Sequence, residues 1–274
     1  MPSIITNSSE WKSLNATGPS DQVFAIGDIH GKADVLLSVL NSIKNIERTA
    51  ATRRLIFTGD IIDRGPASLL CIQYVMNAHQ IANVDEVVIL PGNHELMLLD
   101  ALETSGFYFS HWYENGGKSV VREIIGNNPL PKTVSLIRMI RASIDIRFLN
   151  MIFLGPTFHF ENDLLFVHAG ILPQTDLSTY LSQSRFFVLD PDHWAWIRDP
   201  FLEWEKGWNG LIVIHGHTPA LIGQDGFDIY ELEADHVKNY QRLCLDAGAA
   251  YFPQIGWAEF VYNEYRIFLT ELVQ

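Results

Sequence analysis

Cysteine is nearly absent: the 274-residue chain holds two, Cys71 and Cys244. Far apart and set among apolar residues, they suit buried reduced thiols rather than a disulfide framework, and with that a cytoplasmic setting. Basic residues are also few, 19 Lys and Arg against 32 Asp and Glu, for a formal net charge of -13. That balance disfavours a surface built to neutralise nucleic-acid phosphates, so no nucleic-acid partner is expected, although a small basic pocket is still allowed. No window approaches the roughly 18 uninterrupted apolar residues of a membrane span, and the first residues lack the basic start and apolar block of an export signal. A membrane partner is therefore not expected. Apolar residues make up 47% of the chain and aromatics 12%, enough for one large core. One domain with an insertion is expected rather than two.

Residues 1–20, rich in Ser, Asn and Thr with one Gly-Pro step, read as a loosely held head before a single domain over 21–274. The domain opens with the short apolar strand Val23-Phe24-Ala25-Ile26, followed at once by Gly27-Asp28-Ile29-His30-Gly31. Asp28 and His30 lie two apart. On extended backbone that spacing puts both side chains on one face, where they converge on a cation or, as for most Asp-x-His pairs, on nothing. An amphipathic helix through Val35, Leu36, Val39, Leu40 and Ile43 completes a strand, loop and helix unit.

The pattern recurs twice. Leu55-Ile56-Phe57 leads into Thr58-Gly59-Asp60-Ile61-Ile62-Asp63-Arg64-Gly65, then a helix from Leu69 to Met76. Two carboxylates and a guanidinium in one loop suit a metal and a phosphoryl group together, or else a helix cap and a surface ion pair. Val87-Val88-Ile89-Leu90, a continuous apolar run of parallel-strand character, ends in Pro91-Gly92-Asn93-His94-Glu95. There Asn93 either caps the helix or offers a ligand, and His94 is either a surface histidine or a reactive one. Three such loops at the same strand ends face one crevice in an open α/β sheet.

In this order, Gly-Asp-x-His-Gly, Gly-Asp-x-x-Asp-Arg-Gly and Gly-Asn-His-Glu resemble the metal-binding signature of the calcineurin-like metallophosphoesterases, and within them the phosphoprotein phosphatases. Later segments agree. Leu164-Leu165-Phe166-Val167 precedes His168-Ala169-Gly170-Ile171, and Leu211-Ile212-Val213-Ile214 precedes His215-Gly216-His217-Thr218-Pro219. These forms are similar to bacterial serine/threonine protein phosphatases, which are related to the diadenosine tetraphosphate hydrolases. Trp196-Ile197-Arg198-Asp199-Pro200 is similar to the segment that carries a second phosphate-binding arginine.

The resemblance implies an α/β sandwich of two mixed β-sheets flanked by helices, with a dinuclear metal site at the carboxyl ends of the strands and a helical insertion over about 96–160. It implies two divalent cations, one held by Asp28, His30 and Asp60 and the other by Asp60, Asn93, His168 and His217. Mixed oxygen and nitrogen donors suit Mn²⁺, Fe or Zn²⁺. A hydroxide formed between the cations would attack phosphorus in line, Arg64 and Arg198 would hold the phosphoryl oxygens, and His94, oriented by Asp63, would protonate the leaving group. The expected activity is protein serine/threonine phosphatase, on a phosphorylated protein or a small phosphoester. The alternative is dinucleoside polyphosphate hydrolase, and a third reading is a catalytically silent phosphate-binding protein. Gly-Asn-His-Glu and the intact Asp63-Arg64-Gly65 lean toward the protein phosphatase, because the hydrolases often carry Asp in place of that Glu.

His215 is expected to support the site rather than ligate, and His79, His111, His159, His193 and His236 stand in no motif. The aromatics Phe107, Tyr108, Phe109, Trp112 and Tyr113 are expected to pack the insertion's own core. Residues 225–235 read as an exposed acidic loop. Two departures from the family pattern, Leu172-Pro173-Gln174 after His168 and Asp246-Ala247-Gly248 near the end, bear on substrate choice rather than on the metal ligands.

Overall fold

The computed structural model describes residues 3–219 and 229–273, the side chains of 229–232 excepted. Eleven strands are present among them: β1 (Ser3–Ser8), β2 (Lys12–Ser13), β3 (Gln22–Ile26), β4 (Arg53–Phe57), β5 (Glu86–Ile89), β6 (Phe158–Glu161), β7 (Leu164–Val167), β8 (Ile212–His215), β9 (Arg242–Cys244), β10 (Gln254–Val261) and β11 (Glu264–Val273). One sheet runs β1-β11-β10-β3-β4-β5 with β2 against β11, and a second runs β6-β7-β8-β9. Both are mixed: β3, β4 and β5 are parallel, as are β7, β8 and β9, while β10 and β6 join them antiparallel.

The strand pleat explains the layering. Val23, Ala25, Ile56, Leu164, Phe166 and Ile214 face one buried cluster, and their chain neighbours Phe24, Ile26, Leu55, Phe57, Leu165 and Val167 face another. The first cluster lies between the two sheets, where Phe166 of β7 meets Phe260 of β10 edge-on, with ring centroids 5.8 Å apart. The second lies under the helices, including Val35, Leu36, Val39 and Leu40 of the helix Ala33–Asn45. Alternate residues serve opposite faces because side chains on a strand repeat every two residues. The result is the expected sandwich of two mixed sheets flanked by helices.

The head expected to lie loose instead supplies β1 and β2, both antiparallel to β11. Its polar composition follows from its place at the sheet edge, where most of β1 is exposed. The stretch expected to be a helical insertion holds helices from Asn93–Glu103 through Ile146–Leu154, interrupted by a π-helical turn, Tyr113–Gly117. Its aromatics divide. Phe109 and Trp112 are buried, whereas Phe107 is 62% exposed. The acidic loop expected at 225–235 is corrected in part, because residues 229–235 belong to the helix Ile229–Tyr240, while 225–228 lie outside the described residues. Glu233 of that helix is buried, accepting the Cys244 backbone N–H at 2.8 Å. Cys71 and Cys244 are free and buried. Among the described residues no helix is long and apolar enough to cross a membrane.

Candidate metal centre

Every loop singled out in the sequence leaves the carboxyl end of a parallel strand: Asp28 follows β3, Asp60 follows β4, Asn93 follows β5, His168 follows β7 and His217 follows β8. The two sheets therefore bring their ligand candidates to one edge of the sandwich. The turns are tight. His30, Asp60, Asp63, Arg64 and His217 all have φ between 45° and 71°, a left-handed conformation that costs a non-glycine residue roughly 1–2 kcal/mol. Such strain is tolerated where the surroundings over-determine it. Gly216 permits the approach on one side, since a Cβ there would stand 2.1 Å from Asp28 Oδ1.

Asp60 is the centre. Its Oδ1 lies 3.4 Å from His168 Nε2 and its Oδ2 3.5 Å from His30 Nε2 and 4.0 Å from His94 Nε2. Asp60 thereby joins two buried groups whose ligand-type atoms lie within 4.8 Å of one another, one with His30 and His94 and one with His168 and His217. Asn93 Oδ1 stands 3.0 Å from both His168 Nε2 and His217 Nδ1. Asp28 sits beside the first group, its Oδ2 3.9 Å from His30 Nε2 and its Oδ1 accepting the His217 backbone N–H at 3.1 Å.

The proton positions in this cluster decide what it holds. His30 Nδ1 faces the Ile62 carbonyl at 3.0 Å, His168 Nδ1 the Thr58 carbonyl at 2.9 Å and His217 Nε2 the Trp196 carbonyl at 3.1 Å. Each ring donates its N–H to that carbonyl, so its other nitrogen turns a lone pair inward. Burial keeps all three rings neutral: it pushes His30 down to about 3, lowers His168 against the pull of Asp60, and lowers His217 with help from His168. Burial opposes ionisation of Asp60 as well, but His168, His94, His30 and His217 outweigh it and hold the carboxyl well below its usual range. A carboxylate, an amide oxygen and neutral imidazole lone pairs thus converge with no proton between them. That donor set fits divalent cations bound by nitrogen and oxygen.

His94 is buried rather than a surface residue, and its Nδ1 donates to Asp63 Oδ2 at 2.8 Å. Burial disfavours its charge, but Asp60 and Asp63 outweigh burial and raise its pKa, which favours the ring protonated on both nitrogens. Arg64 and Arg198 line the same cleft, of about 70 Å³, together with Asn93, Asp246 and Tyr251. His215, by contrast, packs edge-on against Phe201 at 4.9 Å and lies outside the cluster's inward-facing atoms. A larger cavity, about 330 Å³, lies between Leu172, Tyr180, Trp204 and Trp208 and shares no residue with this cleft.

Glu95 has a role that its sequence position does not advertise. Its buried carboxylate accepts the backbone N–H of Asp60 at 2.8 Å, Ile61 at 2.9 Å, Ile62 at 3.2 Å and Gly92 at 2.8 Å. It starts the helix Asn93–Glu103 and ties the second loop to the third, which leaves Asn93 free to face the histidines. Burial, then Asp60, raises its pKa to about 7.

Two further residues escaped the sequence. Asp246, after β9, is buried beside Asp28. Burial lifts it to about 6, and Asp28 is pushed well up by burial, then by Asp246 and Asp60. Its place after a sixth parallel strand was the available signal. Trp112 donates its indole N–H to Asp63, 3.0 Å from Oδ2 and 3.2 Å from Oδ1. Four residues on, the Gly116 carbonyl accepts the Arg64 backbone N–H at 3.2 Å. The insertion therefore braces both Asp63 and Arg64. Trp112→Phe is expected to lower the urea midpoint by a stability loss of about 1–3 kcal/mol. It should also slow turnover of an alkyl phosphoester about tenfold by loosening Asp63 and with it His94. Unchanged turnover at reduced stability would leave Trp112 a packing residue only.

The calcineurin-like phosphoesterase family model matches residues 22–243, the range that carries Asp28, His30, Asp60, Asn93, His168 and His217. The chain belongs to this family. A protein from Salmonella arizonae named symmetrical bis(5'-nucleosyl)-tetraphosphatase is 31% identical over 206 residues, covering 72% of this chain and 62% of its own. Its Klebsiella pneumoniae namesake is 30% identical over 191 residues, covering 63% of this chain and 57% of its own. The chain thus spans less than two thirds of the length of these relatives. The crystal structure of a cold-active protein-tyrosine phosphatase from a psychrophilic Shewanella superposes with a TM-score of 0.50 at 19% identity, over 95% of this chain and 84% of that one. That likeness shows a shared fold.

Proposed function

We propose that this phosphoesterase hydrolyses dinucleoside polyphosphates. The observation that carries the reading is its likeness, over 63% and 72% of the chain, to two proteins named symmetrical bis(5'-nucleosyl)-tetraphosphatase. The sequence argument for a protein phosphatase leaned on Glu95 and on the intact Asp63-Arg64-Gly65. Glu95 lies buried against backbone N–H groups of its own loops, so its identity speaks to loop geometry and not to substrate. A protein serine/threonine phosphatase remains the second reading, favoured by the form of the His168 and His217 loops and by Arg64 and Arg198 standing exposed at the cleft.

Asp28, His30, Asp60, Asn93, His168 and His217 would hold two divalent cations, which when bound supply Lewis-acid activation of water and neutralise phosphoryl charge. The remaining chemistry belongs to side chains of the chain. Arg64 and Arg198 fork onto the phosphoryl oxygens and orient the phosphorus for in-line attack. His94 gives its Nε2 proton to the departing oxygen, while Asp63, held in turn by Trp112, fixes the imidazole through Nδ1.

The test is hydrolysis by metal-stripped and Mn²⁺-loaded protein, on diadenosine tetraphosphate and on phosphoserine, phosphothreonine and phosphotyrosine peptides in parallel. The expected result is Mn²⁺-dependent cleavage of the nucleotide and loss of activity on stripping. Preferential release of phosphate from peptides would transfer the reading to protein phosphatase. Two bound metals with no hydrolysis of any phosphoester would return it to a silent phosphate-binding protein.

A further inference from the structure

A line of ring contacts leads out of the metal cluster. His217 meets the edge of Trp196 with centroids 6.2 Å apart, Trp196 meets His111 at 6.3 Å, and His111 stacks on Phe107 at 5.9 Å with planes 3° apart. Tyr108 and Phe187 extend it outward at 5.3 Å and 5.1 Å. Trp196 packs partly against the main core, but the outer rings are open. Phe107 is 62% exposed and Phe187 48% exposed, and Trp196 and His111 are half-buried. Large exposed aromatics ordered one against the next, starting at a reactive cleft, mark a binding surface rather than chance exposure.

The strip is also rigidly tied to the chemistry. The Trp196 carbonyl holds His217 at 3.1 Å, and the helix Phe107–Trp112 that carries Phe107 and His111 ends in the indole that holds Asp63. Arg198, which lines the cleft with Arg64, lies two residues after Trp196. A ligand whose phosphates meet Arg64 and Arg198 would therefore lay whatever follows them along the strip.

We propose that Trp196, His111 and Phe107 form a stacking platform for the nucleobase of a nucleoside polyphosphate substrate. The proposal rests on the dinucleoside polyphosphate reading and names the part of the substrate that reading leaves unplaced. Every base has a flat π face, and stacking on aromatic side chains tolerates differences in base identity. The platform thus selects a nucleoside polyphosphate over a bare phosphate chain without selecting one base strictly over another.

Calorimetry on the Mn²⁺-loaded full chain, with ADP and pyrophosphate as probes, tests this. The unmodified protein is expected to bind ADP at least tenfold more tightly than pyrophosphate, and Trp196→Leu and His111→Ala are each expected to bring that preference below about threefold. Phe107→Ala, at an exposed position that places no demand on the core, should reduce it in the same direction, and Trp196→Phe should retain it. Equal affinity for the two probes in the unmodified protein, or a preference kept in all three truncations, overturns the platform. If diadenosine tetraphosphate is hydrolysed while the preference is absent, the platform alone fails. If the unmodified protein does not hydrolyse that nucleotide, both readings fail together.

Discussion

Asp60→Asn is expected to abolish the metal-dependent activity, lowering turnover by at least about 10³-fold. The replacement is nearly the same shape. The Asn amide oxygen can still accept the His94 backbone N–H that Asp60 Oδ1 accepts at 3.1 Å, and Asn adopts the left-handed backbone that Asp60 occupies at φ 50°. What disappears is the negative charge shared by the two groups of histidines. Stability provides an independent readout. The metal-free protein holds Asp28, Asp60, Glu95 and Asp246 buried near one another, and Asp60 raises the pKa of the other three. Removing its charge relieves that repulsion but also removes its attraction for His168, His94, His30 and His217, which outweighs burial and holds its own carboxyl well below the usual range, so metal-stripped Asp60→Asn should melt somewhat lower than the unmodified protein, while Mn²⁺ should no longer raise its melting temperature. Metal analysis should find fewer than two ions per chain. A variant that kept two ions and a rate within tenfold of the original would show that Asp60 does not bridge.

His94→Asn separates proton donation from metal holding. The His94 ring is braced through Nδ1 by Asp63 and offers Nε2 to the cleft, and the cation ligands proposed for this site do not include it. Both metals should therefore stay, and turnover of an alkyl phosphoester such as a phosphoserine peptide should fall about 10²–10⁴-fold, the usual contribution of a general acid. The loss should be smaller on a phosphoanhydride, because a leaving nucleoside diphosphate is a weak base that departs with little protonation. The ratio between the two losses thus reports how much proton transfer each leaving group needs. Equal losses on both would assign His94 to metal binding, in line with its position 4.0 Å from Asp60 Oδ2.

The loops that carry Asp28, Asp60, Asn93, His168 and His217 were legible because each sits at the end of a short apolar run, and both the run and the donor types are local properties of the chain. Sheet composition followed for the same reason, since uninterrupted runs such as Val87 to Leu90 signal strands covered on both faces. The edge strand Ser3–Ser8 was not legible. Its hydrogen bonds depend on β11, more than 250 residues away, and an edge strand exposed on most of its length has no apolar pattern to reveal it.

Chemical identity and order, through the family they resemble, were enough for the sequence to single out Asp28, His30, Asp60, Asn93, His168 and His217, two arginines, and His94 beside Asp63 as site candidates. Only the tertiary structure decided how those groups are held. Trp112 read as a core aromatic, and it is one, yet its single polar atom meets Asp63 across 49 residues. Glu95 read as a marker of substrate class, and it binds backbone of two loops. His111 stood in no motif, and helix Phe107–Trp112 brings it alongside Trp196, 85 positions further along the chain. Which residues can coordinate or donate is fixed by their covalent chemistry. Which atom of each points inward depends on packing between segments distant in the chain, and on which backbone group occupies the other end of the side chain.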